Sequence, residues 1–177
     1  MTLQNTSFMR PVHLPDGVSG ELWLGPMLGR LRGFTEDMNE LHEHKITLIL
    51  NLTPTCEIEE KAPAYAQALT DDMNIAIRRL PITDFGVPDD DTEFFDLSIH
   101  AAKVLRSGGR IFIHCAAGIG RTGTMATCVL LALGMTVTQA VSRISDAGSG
   151  PETNTQKDLV TRIATRMQHR EPVETSQ

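Results

Sequence analysis

The residues with the clearest chemical potential lie in one short run between an apolar strand-like segment and an apolar helix-like segment. The run starts at His114, continues with Cys115, contains Gly118 and Gly120, and reaches Arg121. Glycines let the backbone turn so that successive amides point inward, and such an amide nest at a helix N-terminus binds anions. Arg121 adds a planar, permanently charged fork suited to two phosphate oxygens. Because this setting also favours a cysteine thiolate, the run predicts a nucleophile facing a bound phosphoryl group.

A cysteine in a glycine-containing turn is, taken alone, more often a small core residue than a nucleophile. Here the cysteine, the glycines and the arginine agree at several independent positions, which favours the catalytic interpretation. The loop backbone is then expected to bind the phosphate of a substrate, through Ala116, Ala117, Gly118, Ile119, Gly120 and Arg121.

The elements that would position this loop alternate between strand-like and helix-like patterns. Strands are expected over 21–24, 46–52, 74–80 and 110–114. Helices are expected over 35–44 with Thr35 as N-cap, 57–71 with an interruption at Pro63, 92–105, 122–133, 137–145 and 152–167. This order predicts an α/β fold with a central, mostly parallel sheet flanked by helices on both faces.

The length of 177 residues favours one domain, which we expect over 18–169. Residues 1–17 are expected to form a loosely ordered lead-in, and residues 170–177 a flexible tail. The net charge of −6 argues against nucleic-acid partners and against anionic membrane surfaces. The three cysteines are too few for a disulfide framework, and no apolar stretch is long enough for a bilayer span, so a cytoplasmic protein is expected.

The Cys-x5-Arg run, with its leading His114 and trailing Thr122, resembles the signature of the protein tyrosine phosphatase superfamily. The short chain and its order of elements are most similar to the compact dual-specificity phosphatases, including the cyclin-dependent kinase inhibitor-associated type. The resemblance covers roughly residues 20–168. It implies a cysteine phosphatase fold and hydrolysis of phosphate monoesters through a phosphocysteine on Cys115. It also implies that Thr122 hydrogen-bonds the sulfur and that His114 orients the loop from below.

A phosphate ester needs a general acid to protonate its leaving oxygen. Residues 81–88 resemble the acid loop of the same superfamily, and Asp84 matches its aspartate. The alternative is an ordinary Asx-turn aspartate. The neighbouring Asp89, Asp90 and Asp91 are expected at the N-terminus of the next helix, where negative charge is favourable.

Residues 150–156 resemble the loop that holds the hydrolytic water in this superfamily. Gln156 matches its more diagnostic glutamine, and the resemblance implies that Gln156 holds the water. Glu152 stands where tyrosine-specific relatives often carry another glutamine. The alternative for Gln156 is a solvated helix residue.

The apolar side chains Ala116, Ala117 and Ile119 suggest a singly phosphorylated protein substrate, phosphotyrosine first and phosphoserine or phosphothreonine less well. A phosphatase for a non-protein phosphate such as a phosphoinositide is the alternative within the class. A rhodanese-type sulfurtransferase and an inactive phosphate-binding module are alternatives of other classes. No cofactor and no metal site are expected, since His42 and His44 have no obvious further ligands. The oligomeric state is not indicated.

Overall fold

The computed structural model describes residues 7–170, and within that range the chain forms one five-stranded sheet with seven helices. The strands are β1 (Arg10–Val12), β2 (Glu21–Gly25), β3 (Leu48–Asn51), β4 (Ala76–Arg79) and β5 (Arg110–His114). The helices are α1 (Phe34–Glu43), α2 (Thr55–Lys61), α3 (Pro63–Ala68), α4 (Asp91–Arg106), α5 (Gly120–Ala132), α6 (Val137–Asp146) and α7 (Asn154–Gln168).

The strand order is β1-β2-β5-β3-β4, so β5 lies at the centre of the sheet. Strands β2, β5, β3 and β4 run parallel to their neighbours, and β1 pairs with β2 in the antiparallel sense. The prediction of a mostly parallel sheet is therefore confirmed. Parallel strands bring their carboxyl ends to one edge, and loops at that edge are the usual binding sites of such sheets.

Alternate side chains of β5 enter two different cores, as expected when both faces of a strand are covered. Ile111 and Ile113 join the core that includes residues of α4, α5, α6 and α7. Phe112 joins the core that includes Leu41 of α1, Ile58 of α2 and Tyr65 of α3. This arrangement confirms the predicted placement of helices on both faces.

The helix that follows the candidate phosphate loop is buried over most of its length. Every residue of α5 from Gly120 to Leu131 is buried, in agreement with its apolar sequence. It packs against α4, α6 and α7. A helix held on several sides is a firm support for the loop at its N-terminus, because the first turn cannot tilt without disturbing the core.

The expectation that residues 1–17 form a loosely ordered lead-in is wrong for part of that segment. Arg10–Val12 form β1 at the sheet edge, and Phe8, Met9 and Val12 are buried. These three apolar side chains give the segment enough contact area to order it against the sheet. Residues 1–6, like residues 171–177 of the expected tail, lie outside the described residues.

Several predicted helix starts and ends shift by one to three residues. Helix α1 begins at Phe34 with Gly33 as its N-cap, not Thr35, and no side chain caps it. The helix expected over 57–71 is two helices, because Pro63 cannot continue α2 but fits the first position of α3. Helix α7 begins at Asn154 because Thr153 caps it. None of the helices within residues 7–170 is both long and apolar enough to cross a membrane.

Candidate active site

The loop from Cys115 to Ile119 follows the central strand β5 and leads directly into α5. Asn51, at the end of β3, and the segment after β4 that contains Asp84 lie at the same edge of the sheet. The parallel topology therefore places the predicted nucleophile and the predicted general acid on one side of the molecule. Cys115 itself is almost fully buried in the loop.

The backbone carbonyls of the loop point away from the expected anion pocket and accept hydrogen bonds from the surrounding protein. A trans peptide directs its carbonyl and its N–H to opposite sides, so outward carbonyls turn the following amides inward. Helix α5 also has no side-chain N-cap, which leaves its first amides for an anion. The donors are His114 Nδ1 to the Cys115 carbonyl at 3.2 Å, Met27 N to Ala116 at 3.2 Å, and Gly123 N and Gly150 N to Ile119 at 2.7 and 3.3 Å.

Gly118 is the position where the loop requires a glycine. Its φ of +72° lies in the left-handed region, and a Cβ there would overlap the backbone of Gly25. The loop thus packs backbone to backbone against the end of β2. Any larger residue would push the loop away from that strand.

Arg121 is buried at the start of α5, and its guanidinium is held by three groups. Nη1 and Nη2 donate to the two carboxylate oxygens of Glu57 at 2.9 and 3.0 Å. Nη1 also donates to the carbonyl of Ile82 at 2.8 Å, and Nη2 lies 3.0 Å from Asp84 Oδ1. Among the described residues nothing accepts from Nε, which is buried. A buried donor without a protein partner is the expected state of a group that binds a ligand.

The Glu57 carboxylate, which the sequence interpretation did not single out, orients the arginine. Hydrogen bonds from Arg121 hold the pKa of Glu57 down to about 2, against the opposing effect of burial and with help from Lys61. Glu57 is therefore ionised at neutral pH and fixes the plane of the guanidinium. Its position four residues before Lys61 gave it the appearance of an ordinary helix ion pair.

His114 is fully buried next to Cys115, and the role of orienting the loop that the resemblance implies for it stays a prediction. Its Nδ1 donates to the Cys115 carbonyl, and its Nε2 is 2.9 Å from Tyr65 Oη, which in turn receives a hydrogen bond from Asn51 Nδ2 at 3.4 Å. Burial lowers the pKa of His114 to about 4, and the nearby Arg121 acts in the same direction. The imidazole is thus neutral, with its proton on Nδ1.

Asp84 lies at the mouth of the site, and its side chain is half exposed. Its Oδ1 accepts from the amide of Phe85 at 3.0 Å, and Gly86 N donates to the Thr83 carbonyl at 2.8 Å, which makes a tight turn. Phe85 has a φ of +60° and an exposed ring. The turn therefore directs the Asp84 carboxylate towards Arg121, beside the loop that begins at Cys115.

The other acidic residues of this region have structural roles. Asp90 caps α4 by accepting from Thr92 N at 2.7 Å, and Asp91 forms an ion pair with Arg162 at 2.7 Å. The prediction that these carboxylates belong to the start of the next helix is confirmed for both residues.

Gln156 is fully buried, and its amide connects two loops. Its Oε1 accepts from the amides of Glu152 and Thr153 at 2.8 and 3.3 Å, and its Nε2 donates to the Gly86 carbonyl at 3.2 Å. Gln156 is therefore not a solvated helix residue, and it would have to become accessible to hold a water directly. The side chain of this loop that lies against the phosphate loop is Glu152, since a Cβ on Gly120 would overlap its carboxylate.

Thr122 and the remaining cysteines occupy distinct environments. Thr122 Oγ1 is buried without a partner among the described residues, so the hydroxyl is available to a group bound in the loop.

Cys128 is a core residue, as predicted, and burial raises the pKa of its thiol. Cys56 is exposed on α2 beside Glu57. The described residues contain no group of three or more potential metal ligands.

Comparison with known proteins agrees with this architecture. Residues 28–176 match the family model of the "Swiss Army Knife protein, DSP-PTPase phosphatase domain". The chain is 37% identical over 84 residues to mouse tyrosine-protein phosphatase non-receptor type 4, covering 41% of this chain and 9% of that protein. It is 30% identical over 76 residues to human dual specificity protein phosphatase 13B, covering 38% of each. The chain thus spans well under half the length of these curated relatives.

Solved structures share the fold at low sequence identity. A kinase associated phosphatase superposes with a TM-score of 0.80 at 21% identity, covering 95% of this chain and 99% of that one. PTPMT1 in complex with PI(5)P gives 0.67 at 16% identity, covering 88% and 96%. The predicted cysteine phosphatase fold is confirmed, and with the family model spanning most of its length, this chain belongs to the family of dual-specificity and tyrosine phosphatase domains.

Proposed function

We propose that this chain dephosphorylates proteins, with phosphotyrosine preferred and phosphoserine or phosphothreonine accepted less well, through a phosphocysteine intermediate. The observation that carries the proposal is the convergence of Cys115, Arg121 and Asp84 at one edge of the sheet. Arg121 Nη2 lies 3.0 Å from Asp84 Oδ1, beside a loop whose carbonyls are bonded on the outside. A module that only bound phosphate would have no use for a half-exposed aspartic acid at this position.

In the first step the Cys115 thiolate attacks phosphorus, so that the S–P bond forms as the bond from phosphorus to the leaving oxygen breaks. Asp84 donates its proton to that oxygen. In the second step water attacks phosphorus, Asp84 takes the proton of the water, and the S–P bond breaks. Thr122 donates a hydrogen bond to the departing sulfur, and inorganic phosphate is released.

The developing negative charge is stabilised by fixed donors. The inward amides of residues 116–120 and the free Nε of Arg121 supply them, and preorganised donors of this kind usually give the largest share of catalysis. Arg121 Nη2 also lies 3.0 Å from Asp84 Oδ1. Protonation of Asp84 removes its attraction to Nη2, so the edge formed by Nε and Nη2 is open to two phosphate oxygens when the acid is ready to act.

The preference for an aromatic phosphoester is supported by the side chains around the loop. Ile119 and Phe85 are both exposed apolar residues, one in the phosphate loop and one beside Asp84. Ala116 and Ala117 add no charge between Cys115 and Gly118. An aromatic ring gains apolar contact here, whereas further phosphate groups on the substrate meet no basic side chain within residues 116–120.

A phosphoinositide phosphatase is the second candidate, and one structural neighbour motivates it. PTPMT1 was solved with PI(5)P, but its 16% identity to this chain supports the shared fold alone.

Two further proposals accompany the first. The chain acts in the cytoplasm on phosphorylated protein partners, and it has no nucleic-acid partner, in line with its net charge of −6.

The direct test is phosphate release from matched phosphotyrosyl and phosphothreonyl peptides and from an inositol phosphate, with the Cys115→Ser variant in parallel. We expect turnover that is highest on phosphotyrosine and absent in Cys115→Ser. Turnover confined to the inositol phosphate would overturn the substrate proposal and leave the mechanism standing. Thiosulfate turnover, or phosphate binding without turnover, would overturn the reaction itself.

The Asp84→Ala variant tests the role of Asp84. It should lose about 100-fold or more in kcat/KM, because no group then protonates the leaving oxygen. Asp89→Ala is the matched control, and equal rates in the two variants would contradict the assignment.

A further inference from the structure

Arg10, which lies on the edge strand β1, contacts the phosphate loop directly. Its Nη2 donates to the carbonyl of Gly118 and, at 3.0 Å, to Ser149 Oγ. Ser149 Oγ donates to the same Gly118 carbonyl at 2.6 Å. A guanidinium and a hydroxyl from two distant segments thus converge on one carbonyl of the loop.

The direction of that carbonyl fixes the direction of an amide in the pocket. The peptide that joins Gly118 to Ile119 is rigid and trans, so the Gly118 carbonyl and the Ile119 N–H point to opposite sides. Gly118 has a φ of +72°, a region that glycine enters and leaves freely. Without the two donors, this peptide could rotate and withdraw the Ile119 amide from the bound phosphoryl group.

The charge of Arg10 also lies close to Cys115. Its guanidinium binds the carbonyl of Gly118, in the same loop as Cys115, and attraction to Cys115 opposes the lowering of the Arg10 pKa by burial. The neutral His114 donates to the Cys115 carbonyl. The charged groups around it are Arg10 of β1, Arg121 of α5, the Glu57 and Asp84 carboxylates paired with Arg121, and the Glu152 carboxylate beside Gly120. Arg10 is the cation of this set that has no carboxylate bonded to it among the described residues.

We propose that Arg10 is a positioning residue of the phosphate loop, which holds the Gly118–Ile119 peptide in its anion-binding orientation together with Ser149 and brings a permanent positive charge to the loop that contains Cys115. This inference deepens the proposed function and rests on it. It gives the N-terminal segment a role in the reaction, although Arg10 itself touches neither the substrate nor the reacting atoms.

The test uses alkylation of Cys115 by iodoacetamide, a neutral reagent that reports the thiolate without any turnover. The rate is measured at pH 7, with the modified residue identified by mass spectrometry. In Arg10→Met we expect the alkylation rate at pH 7 to fall by about 3- to 10-fold, because a positive charge near the nucleophile is lost. We also expect kcat/KM on a phosphotyrosyl peptide to fall roughly 10- to 100-fold.

Two further variants separate charge from geometry. Arg10→Lys keeps the charge but lacks the planar guanidinium that reaches both Gly118 and Ser149, so we expect it to restore the alkylation rate while kcat/KM stays reduced. Ser149→Ala keeps the charge and removes one donor, and we expect a smaller fall of about 3- to 10-fold in kcat/KM with an unchanged alkylation rate.

Arg143→Met is the matched control. Arg143 Nη1 donates to the carbonyl of His13 at 3.0 Å, so it holds the same N-terminal segment without contacting the phosphate loop. We expect wild-type behaviour in both assays. A wild-type alkylation rate and wild-type kcat/KM in Arg10→Met would overturn the inference, as would equal effects of Arg143→Met.

The outcomes remain informative if one variant fails to fold. Circular dichroism and thermal unfolding identify such a case, and Arg10→Lys with Ser149→Ala then decides the question, because wild-type kcat/KM in both would refute the positioning role. If no phosphoester is turned over by the wild type, the proposed function fails, whereas the alkylation rates still support or overturn the effect of Arg10 on Cys115.

Discussion

Arg121 must be held rigidly and still keep donors free for a ligand. Glu57 accepts from Nη1 and Nη2, the Ile82 carbonyl accepts from Nη1, and Nε remains without a partner among the described residues. One edge of the guanidinium is thus held by the protein, and the other edge is left for a ligand. The arginine of the loop motif is visible in the sequence, but the carboxylate that aims it comes from a helix 64 residues earlier.

Neutralising Glu57 should weaken the site without removing any group that contacts phosphate. In Glu57→Gln we expect roughly a 10-fold loss of kcat/KM, because the Arg121 plane loses one of its two charge-assisted hydrogen bonds. The loss of that pair should also reduce the free energy of unfolding by about 1–3 kcal/mol. Both are measured against Glu59→Gln, an exposed carboxylate on the same helix. Equal activity in the two variants would show that Glu57 does not orient the arginine.

The buried His114 should make the fold sensitive to mild acid. Its folded-state pKa of about 4 lies below the ordinary value of 6.5, so between these values the unfolded chain binds a proton that the native chain does not. Stability should therefore decrease as the pH falls from about 6.5 to about 4. Urea unfolding at several pH values should show a shallower decrease for His114→Gln. The exposed His42→Gln should keep the wild-type slope, and an unchanged slope in His114→Gln would contradict this account.

At the scale of elements, the start of α7 connects the acid loop with the rest of the site. Thr153 and Gln156 form a capping box, and the same two side chains bond the Phe85 and Gly86 carbonyls. Helix α6 has an identical capping box, from Thr136 and Gln139, that is not part of the site. The same capping box thus occurs twice, once in contact with the loop that contains Asp84 and once without such a contact.

This pair of capping boxes allows a controlled comparison. Gln156→Leu and Gln139→Leu should each reduce the free energy of unfolding, by about 0.5–2 kcal/mol for the lost cap. We expect Gln156→Leu alone to lower kcat, roughly 10-fold, because the acid loop loses its bond at Gly86. In stopped-flow measurements, a larger burst of leaving group in Gln156→Leu would indicate a slower second step, the hydrolysis of the phosphocysteine. Equal kcat in the two variants would assign Gln156 to stability only.

The rate of the second step also distinguishes Glu152 from Gln156 as the residue that holds the water. If the exposed Glu152 holds the water directly, Glu152→Ala should increase the burst amplitude more than Gln156→Leu does. The sequence interpretation favoured Gln156 because of its match to the motif, and burial is not visible in a motif. The structure shows that its amide faces backbone groups, so its predicted role as direct holder of the water stays a prediction.

At the scale of the whole molecule, the features predicted correctly from the sequence are those that depend on local residue patterns. The strand Arg110–His114 was predicted with its observed bounds, because β-branched residues run directly into the glycine loop. The sheet class and the placement of Asp84 near Arg121 also followed from local motifs and from the order of elements. Arg10, Glu57 and Tyr65 could not be found in this way, since each reaches the site through a tertiary contact that leaves no spacing signal.

The outward carbonyls of the phosphate loop have a consequence for biosynthesis. The donor to Gly118 comes from 108 residues earlier in the chain, and its second donor comes from 31 residues later. Contacts between such distant positions form late, because long loops must close before the contact contributes any energy. A chain emerging from the ribosome with Cys115 therefore carries Arg10 but not yet Ser149, so we expect the Gly118 carbonyl to gain its full set of donors only after Ser149 has been synthesised and docked.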